Sequence, residues 1–136
     1  MEPTTAQDWI IVAEQRLADA RAILKERPDS VGSVYMAGYA IECALKGLLQ
    51  KRGIASPKRG QEGHDLMGLL KTSGLRMSEI NDPKGIKTFF IQEWTTDWRY
   101  ETSLPNGGME LSELVEGAAQ LLGWIKLQIR PRRRRK

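Results

Sequence analysis

Ser30 to Gln50, SVGSVYMAGYAIECALKGLLQ, constrains this chain more than any other stretch. Val34, Ala37, Ile41, Leu45 and Leu48 form one apolar line at helical spacing, and the flanking positions are mostly apolar or small as well. A helix that is apolar almost all round must be enclosed by other elements. Two charges interrupt it, Glu42 and Lys46, four residues apart and so on the same side. Charges on an enclosed helix must be paired, hydrated in a cleft or used. The segment is therefore read both as the core helix and as the first place to look for a site.

The rest of the chain supplies partners for it. Thr5 and Asp8 form a capping pattern, after which Ile10, Ala13, Leu17, Ala20 and Leu24 recur at threes and fours up to Pro28. Asp29 or Ser30 is placed to cap the core helix, and so short a connection implies an antiparallel pair. Gly32, Ala37, Gly38, Ala40, Ala44 and Gly47 allow neighbours to approach closely. The segment from Lys51 to Gly63 reads as a loop, and a short helix with Leu66, Leu69 and Leu70 inward ends near Gly74. After the Asp82-Pro83 turn, Ile86, Phe89, Phe90 and Trp94 predict a helix reaching about Trp98. Thr102 to Gly108 breaks it, and Leu111, Leu114, Val115, Ala118, Leu122, Ile125 and Ile129 define the last helix. With no strand alternation and no repeat, the expected fold is all-α, an antiparallel bundle of four long helices plus one short one.

A chain of 136 residues fits one domain with a real core. The expected organisation is a bundle over residues 1–129 and a basic tail over 130–136, RPRRRRK. That tail holds Arg130, Arg132, Arg133, Arg134, Arg135 and Lys136, six of the 21 Lys and Arg. The other 15 stand against 17 acids, a balance of about −2, so the net +4 lies in the tail and not in the body. The tail is read as a contact for nucleic-acid phosphates, for an acidic protein, or as a solvated end. The lone Cys43 fits a reducing compartment, no signal peptide is visible, and Glu42 and Lys46 oppose a membrane span, so a cytoplasmic location is expected.

Three elements in this order resemble a HEPN domain: YMAGYAIECALKGLL (Tyr35 to Leu49), GHDLMGLL (Gly63 to Leu70) and WRYE (Trp98 to Glu101), ahead of a last amphipathic helix. The resemblance covers roughly residues 8–128. It implies a helical bundle, homodimerisation, nucleotide or RNA binding, and partnership with a nucleotidyltransferase or defence effector in prokaryotic toxin–antitoxin and defence modules. Family members that cut RNA carry Arg, about four to six residues, then His near the start of a late helix. Such a pair acts without metal, one group stabilising phosphate charge and the other exchanging protons.

The single histidine, His64, stands five positions after Arg59, but in the loop before the short helix and with Gly60 where the family has a polar residue. Arg99 occupies the better position and no histidine follows it. The expectation is a binding module without the usual catalytic motif. The alternatives are a metal-independent endoribonuclease using His64 with Arg59 or Arg99, and a protein-binding subunit. Lys46, His64, Arg99 and Tyr100 are the candidate ligand-binding residues, Trp94 and Trp98 being either base platforms or core. Glu42 and Lys46 either satisfy each other or face a groove, and Arg99 is placed to grip a phosphate or to pair with Glu42. His64 and Asp65 either help to form a phosphate site or cap the helix that follows them. Cys43, among apolar neighbours, is read as an inert thiol, and one His with one Cys makes no zinc set, so neither metal nor cofactor is expected.

Overall fold

The computed structural model describes residues 3–55, 65–103 and 109–129, with the side chain of Arg99 outside that description. Among these residues five α-helices follow one another: α1 (Ala6–Glu26), α2 (Gly32–Lys51), α3 (Leu66–Thr72), α4 (Ile86–Glu93) and α5 (Leu111–Ile129). Short 3-10 turns occupy Met77–Glu79 and Thr96–Tyr100, and no strand occurs among the described residues. The fold is an all-helical bundle.

Local chemistry sets the helix starts. Thr5 is extended and its Oγ1 accepts the Asp8 N–H at 3.0 Å, the cap expected from the sequence. Of the two candidates before α2, Ser30 is the one engaged, its hydroxyl accepting the Gly32 N–H at 3.1 Å. The Asp82 carboxylate accepts the N–H groups of Lys87 and Thr88 at 3.1 and 2.7 Å, over the first turn of α4. Although partial burial opposes it, these bonds hold the Asp82 carboxyl below its ordinary range.

Thirteen of the 20 residues of α2 are buried, and it packs on α1, α3 and α5, so it is the central helix. Close approach depends on its glycines. A Cβ on Gly47 would stand 3.0 Å from Trp9 Cβ and 3.2 Å from the Ala6 carbonyl, so α1 crosses α2 at near-backbone contact. Across the bundle Arg21 pairs with Glu116 and Glu14 with Lys126, at 3.7 and 3.3 Å. These exposed bridges add little stability but show that α5 runs antiparallel to α1.

The fourth helix is shorter than its periodicity predicts. It stops at Glu93, Trp94 is extended (φ −64°, ψ 133°), and Thr95 accepts the Asp97 N–H at 3.1 Å to start the 3-10 turn. Thr95 and Asp97 offer the backbone a local alternative to continued helix. The break lets Trp94 and Trp98 both enter the core, at 3% and 5% exposure. No helix among the described residues is long and apolar enough to cross a membrane.

Candidate functional site

Tyr35, Tyr39, Glu42 and Lys46 follow one another at spacings of four, three and four, so they form a strip along one side of α2. At its far end Lys46 Nζ lies 3.1 Å from Glu42 Oε2 and 5.6 Å from the centre of the Trp9 ring on α1. Glu42 is 2% exposed and the Lys46 side chain 14%, so the pair is largely enclosed rather than a solvated surface bridge. The indole face of Trp9 gives the ammonium a second favourable contact. At the near end Tyr35 stacks on Trp94 with ring centres 5.8 Å apart. The strip thus runs between α1 and the segment after α4.

Electrostatics along the strip favour neutral hydroxyl and thiol groups. Burial, then the neighbouring Cys43, Glu42 and Tyr35, raise the Tyr39 phenol above its ordinary value, with Arg16 of α1 opposing. Burial, and after it the Glu42 charge, push the Cys43 thiol from 9.0 up to about 12, against Lys46 and Arg16. An inert thiol follows, because the thiolate is the reactive form. Cys43 of the native chain is expected to resist a disulfide reagent at pH 8 and to react only as fast as the fold opens. Rapid stoichiometric labelling without denaturant would disprove this. The same shift has a sign for stability. The folded thiol keeps its proton where the unfolded one loses it, so this group makes stability fall as pH rises from about 9 toward 12.

The residues singled out from sequence are only partly brought together. Lys46 meets Glu42, as their spacing suggested, but in an enclosed setting. Tyr100 closes the 3-10 turn at 74% exposure, and the backbone of Arg99 lies in the same turn. Trp94 and Trp98 are core, with no open face for a base. Arg59 and His64 lie outside the described residues, as do Arg130, Arg132, Arg133, Arg134, Arg135 and Lys136. Tyr39 of the strip and its α1 neighbours Trp9 and Arg16 were not singled out. The repeat of Tyr35, Tyr39 and Glu42 on one helical face was the available signal. Among the described residues no cluster of three or more His, Cys, Asp or Glu is placed to hold a metal ion.

The model of the HEPN domain family matches residues 6–128. The chain belongs to the HEPN family. A crystal structure of ST0689, an archaeal HEPN homologue, is similar over 96% of this chain and 100% of that one, at 27% identity and a TM-score of 0.59. No curated protein matches the chain. Within this HEPN fold, the strip lies on the helix YMAGYAIECALKGLL, the Tyr100 turn is WRYE, and GHDLMGLL leads into α3.

Proposed function

We propose that this HEPN chain is a nucleotide- or RNA-binding module of a prokaryotic toxin–antitoxin or defence system, dimeric and without the ribonuclease pair of its catalytic relatives. One observation carries the reading: within a family match that spans nearly the whole chain, no histidine follows Arg99. A proton-transferring partner is therefore missing from the position where the family's cutting members have it. Lys46, His64, Arg99 and Tyr100 are the residues proposed to meet the ligand. The Arg-rich tail supplies non-specific affinity for phosphates.

The deciding assay incubates the full chain with end-labelled single-stranded RNA, with and without EDTA, and resolves gel shift and cleavage together. A shift that weakens with salt, without cleavage, is the expected result, and deletion of residues 130–136 should weaken it. Cleavage in EDTA that disappears in His64→Ala would instead establish a metal-independent ribonuclease using His64 with Arg59 or Arg99. Neither shift nor cleavage, with a protein partner co-purifying, would make the chain a protein-binding subunit.

A further inference from the structure

Four exposed cations gather at one end of the bundle. There α2 and α3 both finish. Lys51 and Arg52 stand at the end of α2, Lys71 lies in the last turn of α3, and Arg76 follows it, all four exposed. They are joined by a bond between the two helices, since Arg52 Nη1 donates to the carbonyl of Ser73. The same nitrogen lies 3.4 Å from where a Cβ on Gly74 would sit, and the Gly74 N–H reaches the Lys71 carbonyl at 3.0 Å. Of the acids flanking α3, Asp65 stands at its opposite end and Glu79 is engaged locally, its Oε1 accepting the Arg76 N–H.

Two clefts open at the other end. A cleft of about 580 Å³ between the α1–α2 connection and the Trp98 turn is lined by Arg27, Asp29 and Glu101, and the adjoining cleft by Asp29 and Glu110. Among the described residues lining the two clefts, carboxylates outnumber cations. A cluster of four exposed cations draws a polyanion.

We propose that the corner formed by Lys51, Arg52, Lys71 and Arg76 is a docking surface for the phosphate backbone of single-stranded RNA. The inference rests on the RNA-binding reading and places the contact at the end of the bundle, away from the strip on α2. Two helix C-termini present about one unit of negative partial charge between them, which four cations exceed. Arg52 is held by Ser73 yet retains further N–H donors for phosphate oxygens. The direction of α5 adds to the argument. Its Glu116 lies beside Arg21 and its Lys126 beside Glu14, so it runs toward the end where α1 begins and α2 finishes. The described part of α5 ends at Ile129 on this side of the bundle, and in sequence six cations follow it.

The test measures anisotropy of a labelled oligouridine over a salt series with the full chain, with Lys51→Ala/Lys71→Ala/Arg76→Ala, and with Lys25→Ala/Lys84→Ala as a control for charge alone. Arg52 is left intact because it ties α2 to α3. Each phosphate contact on a single strand contributes about 0.7 to the slope of log affinity against log salt, so the triple variant should lose roughly 2. Its affinity at low salt should fall about tenfold or more while the control stays within about twofold. A triple variant with wild-type slope and affinity would overturn the corner and leave RNA binding standing. Failure of the unaltered chain to bind would overturn both readings.

Discussion

Alanine at position 38 is expected to destabilise the fold by about 3 kcal/mol or more. A Cβ on Gly38 would lie 2.1, 2.2 and 2.3 Å from Nε1, Cδ1 and Cε2 of Trp94. All three atoms belong to a rigid ring that is itself buried, so no flexible tip can move aside. Either the indole leaves its place or α2 shifts against the segment after α4. Expelling the ring forfeits a burial comparable to truncating a core tryptophan, about 3–5 kcal/mol. A domain of ordinary stability holds about 5–15 kcal/mol in all. Among the described residues the indole N–H has no hydrogen-bond acceptor, and packing and the stack on Tyr35 hold the ring there. Chemical denaturation of Gly38→Ala, Trp94→Ala and the double variant gives the cycle. The Gly38→Ala cost should largely disappear in the Trp94→Ala background, where the space is free. A cost below about 1 kcal/mol in the otherwise native chain would show that the contact is not what fixes the segment. Trp94 also sets where Trp98 to Glu101 begins, so amide exchange in that turn should quicken in Gly38→Ala.

What could be read from sequence was whatever depends on neighbours along one helix. The Thr5 cap, the central place of α2 and the apolar line of α5 are local patterns, and the structure places them as expected. The end of α4 was not legible. Helical spacing alone carries Ile86 through Trp98 on one face, and only the pocket at Gly38 rewards an extended Trp94. The site divides in the same way. Glu42 and Lys46 meet because they are four apart, but their enclosure depends on Trp9, which arrives through the crossing of α1 at Gly47. The basic corner is the clearest case. Lys51 and Arg52 are far from Lys71 and Arg76 in sequence, and the Arg52–Ser73 bond that joins them belongs to the tertiary fold. Charge counting had assigned all surplus cation to the tail, because it averages over the bundle and cannot see that four cations gather at one corner.

Lys46→Met should cost more stability than Glu42→Gln, an asymmetry that follows from which partner can still reach water. With Glu42 amidated, Lys46 keeps its 14% exposure and the Trp9 face. With Lys46 replaced by methionine, shape and contact with Trp9 are kept but a carboxylate at 2% exposure loses the cation 3.1 Å away. Breaking an enclosed pair by removing one partner costs about 3–5 kcal/mol. Glu42 takes part in further interactions, so the lower end of that range is expected for Lys46→Met. Glu42→Gln should cost about 1–2 kcal/mol, the difference between a charged and a neutral hydrogen bond. In the double variant neither charge remains, and its loss should be smaller than the sum of the two singles. Urea melts of the three variants measure this directly, and additive losses would show that the pair does not act as a unit. The same proteins separate scaffold from site. If Lys46 touches RNA, Lys46→Met weakens binding at temperatures far below its melt, and Glu42→Gln, which frees the ammonium, strengthens it. If the pair only holds α1 against α2, affinity stays level in both while stability falls.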